Sequence, residues 1–299
     1  MKPRISIGLP VYNGENYVAL AIESILSQSY AEFELIISDN ASQDRTESIC
    51  RSFAEKDARV RYRRNPENMG IARNYNLTYE SSSDTEFFKW AAHDDVLLPE
   101  YLARCVSVLD SDPRVVCVHT YTEKIDKDGH VVGTYPMDQF VDSEIPSARF
   151  QDTICHFHQV IVGHALIRKS ILNKTRLFGG YPGSDYALQA ELALYGKLRQ
   201  LPEYHFRRRS HPGRAVRIPL YDRIAVEDPA KAGKIVLPAW LQWMGYHQAI
   251  GRSRLPFGEK MHCHLIALKS LKRGVLLYPL ARDVKWAART ILKMNGKDM

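Results

Sequence analysis

The sequence predicts an α/β protein: a mostly parallel sheet flanked by helices, followed by a helical C-terminal extension. Three observations predict it. Strand-like and helix-like apolar segments alternate over residues 4–121, the pattern of a helix-covered parallel sheet. Four strand-like segments end in polar, turn-forming residues, and in such sheets ligands bind beyond the carboxyl ends of the strands. From about Asp222 onward the pattern is helical.

The elements follow in order. Residues 4–9 are a short β-branched run, and residues 17–29 carry Val18, Ala21, Ile22, Ile25 and Leu26 at helical spacing. Residues 33–38 read as a strand and 46–58 as a helix, with Asp44 near its start as a cap. A strand at 60–64, a helix at 71–81, a strand at 87–91, a helix at 99–109 and a strand at 115–121 complete the alternation. The pattern then loosens. Lys127-Asp128-Gly129 reads as a hairpin turn. Residues 155–172 are apolar and carry His156, His158 and His164. Without acidic partners nearby, these read as structural or acceptor-pocket histidines rather than a metal site. A glycine-rich loop at 179–183 leads into a helix over 185–195.

Composition narrows the class. With 299 residues, 45% hydrophobic and 25% charged, the chain can bury an ordinary globular core. The net charge is +7, but Lys269 to the C-terminus holds eight Lys/Arg against two Asp, so six of those charges lie in the tail. The rest is nearly neutral and carries no nucleic-acid module, so no nucleic-acid binding is expected. The five cysteines are scattered without a CxxC pair, which excludes zinc-finger and disulfide frameworks. Reduced thiols in a cytoplasmic protein are expected. The N-terminus runs straight into a strand with no signal peptide. No apolar run reaches the ~20 residues of a membrane-spanning helix. The tail mixes its charges with Leu268, Leu271, Val275, Leu276, Leu277, Tyr278, Trp286 and Ile291. That mixture suits a helix on an anionic membrane surface, at the inner membrane face, and equally a homodimer interface or packing on the main domain.

The strand ends hold the candidate chemistry. Asp94-Asp95 follows an apolar strand, and paired carboxylates there can bind Mg2+ or Mn2+. Capping the next helix is the competing reading. Asp39 can accept from a base or sugar, or simply form a turn. Residues 65–74 include Asn68, Gly70 and Arg73. Gly70 permits close backbone approach and the following helix N-terminus favours anions; the bland reading is a capped helix with a solvated arginine. Asp185 begins a helix and is a candidate general base or an N-cap. His211, after Arg207-Arg208-Arg209-Ser210, can bind a metal or phosphate, though a charge run is usually a solvated face.

Taken together, residues 5–13, 35–44, 65–74, 90–99 and 183–211 resemble the family 2 inverting glycosyltransferases, which have the GT-A fold. The resemblance covers about residues 4–215 and lies in the order and spacing of five modest motifs. It implies that Pro10, Tyr12 and Asn13 line a nucleotide pocket, that Asp39 contacts the base, and that Arg73 lies near the diphosphate. Asn68, His93, Asp94 and Asp95 join the donor-binding set. Asp94 would be the metal-binding carboxylate of the family's Asp-x-Asp signature, Asp185 the general base, and His211 the residue completing the metal or diphosphate site. One departure stands out: the usual first acid of the signature is Ala92 here. Asp94 is then expected to carry the metal contact nearly alone from this motif, with Asp95 structural or facing the acceptor.

The implied division is a catalytic domain over residues 1–221 and a basic helical extension over 222–299. The catalytic domain splits into a donor half (1–121) and an acceptor half (122–221). The implied activity is transfer of a sugar from a UDP-, dTDP- or GDP-linked donor to a glycan or glycolipid, in cell-surface polysaccharide or glycolipid synthesis. Two rivals remain. A non-catalytic binding protein on the same scaffold is favoured by Ala92 and disfavoured by the intact Asp94 and Asp185. A nucleotidyltransferase usually places a glycine-rich basic loop where Pro10-Val11-Tyr12-Asn13-Gly14 stands.

Overall fold

The computed structural model describes residues 2–135, 141–155, 161–272 and 277–295. The α/β architecture read from the alternation is present. Its first half runs β1 (Ile5–Val11), α1 (Val18–Leu26), β2 (Phe33–Asp39), α2 (Thr46–Lys56), β3 (Val60–Arg64), α3 (Ile71–Glu80), β4 (Phe87–Trp90), β5 (Val96–Leu97), α4 (Tyr101–Ser111) and β6 (Val115–Ile125). The second half continues with β7 (Val131–Thr134), α5 (Pro146–Cys155), β8 (Leu166–Arg168), α6 (Lys169–Leu172), α7 (Ser184–Tyr195) and β9 (Lys197–Arg209). It ends in α8 (Arg223–Glu227), α9 (Pro238–Arg252), α10 (Phe257–Lys272) and α11 (Leu277–Asn295).

The strands form one sheet in the order β3-β2-β1-β4-β8-β6-β9-β5, with β7 on β6. β3, β2, β1 and β4 are mutually parallel, and every residue of β1, β2 and β4 is buried. Strands covered on both faces read as continuous apolar runs, which is why the sequence displays them plainly. The pairings Val11↔Asp39 and Asp39↔Arg64 align the carboxyl ends of β1, β2 and β3 on one edge. Helix α1 buries Val18, Ala21, Ile22 and Ile25, one face at helical spacing.

The sequence pattern missed β9. This thirteen-residue strand runs parallel to β6. Between the pairings Thr120↔Leu201 and Tyr121↔Tyr204 the register slips, so Pro202 and Glu203 lie in a bulge. A proline is tolerated there because no ladder donor is required of it. The mixed composition, proline included, hid the strand. Its far end pairs antiparallel with β5, Val96 against Arg207.

The helices after residue 222 pack on α5 and α7. Phe150 of α5 and Ala190 and Leu194 of α7 share one apolar cluster with Tyr246, Ile250, Cys263, Ile266 and Leu280. The cysteines are all free. Among the described residues, no helix is long and apolar enough to cross a membrane.

Candidate active site

The acidic pair lies where the ends of β4 and β9 meet, two strands that run in the same sense. β4 ends at Trp90, and Asp94 and Asp95 follow four and five residues later, both buried. β9 arrives beside them because its last residues pair with β5. Arg209 N donates to Asp95 Oδ1 at 2.9 Å, and Arg209 Nε donates to Asp94 O at 3.0 Å. The chain then turns back. His211 Nε2 comes to 2.9 Å from Asp94 Oδ2, and Arg214 Nε lies 3.7 Å from the same oxygen. Arg214 Nη1 is 3.4 Å from Asp95 Oδ1. The Tyr17 ring packs 4.9 Å from that of His211, with the Arg209 guanidinium 4.7 Å from the Tyr17 centroid.

The two carboxyls respond oppositely. Burial pushes Asp94 up, but the charges of His93 and Arg214 and the His211 contact outweigh it and hold Asp94 below the usual carboxylate range. Burial and the charge of Asp94 push Asp95 up, against Arg214 and the Arg209 amide. Asp94 is therefore the carboxyl of the pair that is held charged. Asp95 accepts from Arg209 N and lies beside Arg214; the N-cap position of α4 is Glu100.

Asp94 and His211 suit a divalent cation. They offer a hard oxygen and an imidazole nitrogen, and their 2.9 Å separation is what two adjacent ligands span around Mg2+ at ~2.1 Å bond lengths. Two protein ligands leave room for phosphate oxygens and water, as Mg2+ prefers. A second set, Asp126, Asp128 and His130, brings three ligand atoms within 4.8 Å on the turn between β6 and β7. Arg209 Nη1 ties this turn to the site by donating to Asp126 O and Lys127 O.

The expected donor residues occupy the aligned strand ends. Pro10 is buried in β1, while Tyr12 and Asn13 are exposed just beyond it. Asn13 N donates to Ser42 Oγ and its Oδ1 accepts from Gln43 N, both at 2.9 Å, stitching the ends of β1 and β2 together. Asp39 has no exposed surface; it accepts from Ser42 N at 2.9 Å and Tyr62 Oη at 2.8 Å. Asn68 Oδ1 accepts from Asn40 Nδ2 at 2.7 Å and Gly70 N at 3.0 Å, and so shapes its own loop. Arg73 is exposed and paired with Glu80 at 2.5 Å, so reaching a diphosphate requires that pair to open. His93 packs against Gly14, where a β-carbon would come within 2.8 Å of its ring.

Asp185 lies in the first turn of α7, after Gly183 in a left-handed conformation. Gly183 takes the N-cap position, so Asp185 is free of that role; its Oδ1 accepts from Tyr186 N at 3.0 Å. Burial holds its carboxyl above the usual range, opposed by that N–H, Arg223 and Arg208.

Three residues near these were not singled out in the sequence: Arg214, Arg223 and Glu227. Burial and the charge of Asp185 push Glu227 up to about 7, although Arg223 sits 3.3 Å away. Arg223 and Glu227 are four apart, a spacing that marks a helical ion pair, whereas Arg214 lies in no pattern. α8 reaches the site because Gly70, at φ 83°, lets it close in: a β-carbon there would stand 2.5 Å from Glu227 O. Beside Glu227 opens a groove of about 470 Å³ lined by Asn68, Arg73, Asn76, Phe178 and Asp228 among others. Of the histidines, His164 is buried and stacks on Phe206 at 4.7 Å, a structural position; His156 and His158 lie outside the described residues.

Comparison with known proteins gives a family and a fold. The family model described as Glycosyl transferase family 2 matches residues 6–176. An uncharacterized glycosyltransferase of Rickettsia typhi is 33% identical over 173 residues, covering 58% of this chain and 52% of that protein. Chondroitin synthase of Escherichia coli is 27% identical over 164 residues, covering 54% of this chain and 23% of that protein. The chain thus spans about half or less of the length of these curated relatives. Among solved structures, S. aureus TarS in complex with UDP-GlcNAc superposes with a TM-score of 0.59 at 16% identity, covering 95% of this chain and 89% of that one. The mannosyltransferase PcManGT from Pyrobaculum calidifontis, in complex with GDP-Man and Mn2+, gives 0.54 at 18% identity, covering 100% and 80%. At those identities the likeness concerns the GT-A fold alone.

Proposed function

Since the chain belongs to glycosyl transferase family 2, we propose that it transfers a sugar from a nucleoside-diphosphate donor to an acceptor hydroxyl, inverting the anomeric carbon. The observation that carries this reading is the contact between Asp94 and His211, 117 residues apart, at the edge where the parallel strands end. The nucleotide lies over Pro10, Tyr12, Asn13 and Asp39, with Asn68, Arg73 and His93 flanking the donor. Asp94 and His211 would hold a Mg2+ or Mn2+ ion, which when bound would supply charge neutralisation to the departing diphosphate. Arg214, charged and already at the pair, adds a donor toward the same phosphates.

Asp185 takes the acceptor hydroxyl's proton as its oxygen attacks. Burial brings this base toward neutral pH, where a general base works best. The groove beside Glu227 combines an aromatic ring, Phe178, with amide and carboxyl groups, a lining suited to a sugar. We assign it to the acceptor, a glycan or glycolipid of cell-surface synthesis, with Asn68 and Arg73 on the wall it shares with the donor. Division at residue 222 into a catalytic domain and a helical extension belongs to the same proposal. The bound UDP-GlcNAc of TarS and the GDP-Man and Mn2+ of PcManGT support a nucleotide-sugar donor without choosing the base.

Thermal melting with UDP, GDP and dTDP, each with and without Mn2+, tests the reading. One nucleotide is expected to raise the midpoint strongly and only with the metal. No stabilisation by any pair would remove the donor assignment.

A further inference from the structure

The C-terminal helices carry an apolar surface that the fold does not use. On α10, Phe257, Met261, Leu265 and Leu268 recur at helical spacing and are exposed, Phe257 by 80%. On α11, Leu277, Ala281, Val284, Ala288 and Ile291 recur every three or four residues on one exposed side, with Leu292 beside them. The inward side of α11 is different: Leu280 joins the helical cluster, Asp283 has no exposed surface, and Trp286 stacks on Tyr221 at 4.2 Å. Core packing therefore accounts for one side of this helix and leaves the other uncovered. Trp286 and Leu271, which the sequence offered as surface-active, belong to the packed side.

The charge on this region has one sign. Between Pro238 and Asn295 the sequence has ten Lys/Arg and only two acids, Glu259 and Asp283. Both acids are engaged: Glu259 Oε1 accepts from Ser147 N at 2.7 Å, and Asp283 accepts from Ala239 N at 2.8 Å and Tyr221 Oη at 3.0 Å. Arg282, Lys285 and Arg289 are exposed and border the apolar stripe of α11. Lys269 lies beside that of α10.

We propose that the exposed faces of α10 and α11 dock on an anionic lipid surface. Leu277, Ile291 and Leu292 and the α10 stripe enter the headgroup boundary, and the bordering Lys and Arg meet lipid phosphates. Charge selects this occupant over a second copy of the chain. Two copies laid face to face on α11 would oppose Arg282, Lys285 and Arg289 with no exposed carboxylate among the described residues of α11 to pair them. An anionic bilayer supplies the missing sign and takes the apolar stripe in the same contact. Attachment is peripheral, because neither helix is apolar enough to span.

Flotation of the full chain with vesicles tests it, using phosphatidylcholine alone and phosphatidylcholine mixed with phosphatidylglycerol. Retention is expected on the anionic vesicles and is expected to fall in high salt. Lys285→Ala and Arg289→Ala should each weaken it by about fivefold, and Leu277→Ser/Leu292→Ser should abolish it. Unchanged melting of each variant separates these losses from misfolding. Equal retention of wild type and variants, or salt-independent binding to phosphatidylcholine alone, overturns the proposal. So does a wild-type dimer in sedimentation that Leu277→Ser/Leu292→Ser disperses without any vesicle binding.

Discussion

His211 Nε2 lies 2.9 Å from Asp94 Oδ2, across 117 residues of chain. One residue comes from the end of β4 and the other from the end of β9, so the contact exists only when the whole sheet is assembled. If the pair holds the cation, each partner has a separable effect. Asp94→Asn should lower kcat by about 10²–10³-fold. His211→Ala should raise the Mn2+ concentration needed for half-maximal rate by about 10–100-fold while leaving nucleotide binding at saturating Mn2+ intact. Titrating rate against Mn2+ in both variants checks this; an unchanged Mn2+ requirement in His211→Ala would remove His211 from the metal.

Asp185→Asn should nearly abolish transfer and leave nucleotide binding unchanged. The wild-type rate should also carry the mark of burial. The carboxyl of Asp185 is held above the usual range, and below its pKa it is protonated and cannot accept the acceptor's proton. The acid limb of kcat/KM should therefore lie at higher pH than an ordinary aspartate would give. A limb at the ordinary aspartate position would mean a different base.

Glu227 should titrate separately. It is pushed up to about 7 by burial and by the charge of Asp185. Glu227→Gln should erase an inflection near pH 7 in kcat/KM and leave the lower limb in place. If both limbs move together, the two carboxyls act as one coupled unit.

Lys89 predicts a pH-dependent stability. Its side chain is fully buried, its amine 4.6 Å from the Tyr101 ring and donating to His164 O, and burial pushes its pKa down to about 7. For a base with a depressed folded pKa, the cost is full below about 7 and fades as pH rises toward the ordinary lysine value. The wild type should therefore gain stability on going from neutral to alkaline pH. Lys89→Met should raise the melting midpoint at neutral pH and below, by a free energy on the order of 5 kcal/mol at most, with the advantage shrinking at high pH. His164 O would keep the Tyr101 hydroxyl at 2.5 Å. A gain independent of pH would show packing, not charge, to be the cause.

Gly70→Ala should destabilise the protein by about 2 kcal/mol. The residue has φ 83° and backs directly onto Glu227 O. The lost contact should also loosen α8, raising the KM for the acceptor more than it changes nucleotide affinity. Comparing denaturant midpoints with the two binding parameters checks both parts.

The sequence by itself determined the alternating half of the fold. β1, β2 and β4 are buried on both faces, so their apolar runs are unbroken, and α1 shows its inward face at regular spacing. The polar residues at the strand ends were legible for the same reason, because a parallel sheet must end in turns there. Single positions were less legible. Asp94, Asp95, Asp185 and Arg73 each have an ordinary local explanation, and nothing local tells a ligand from a cap or a solvated charge. Only the tertiary structure shows what surrounds each of them. β9, hidden by its bulge at Pro202 and Glu203 and its mixed composition, carries Arg209 to Asp95 and His211 to Asp94. α8, seated on Gly70, brings Glu227 toward Asp185. Arg73 is taken up by Glu80 and Asp39 by Tyr62. Periodicity reports which face of an element is buried. It cannot report which distant side chain arrives opposite, and that arrival raises one carboxyl and lowers its neighbour.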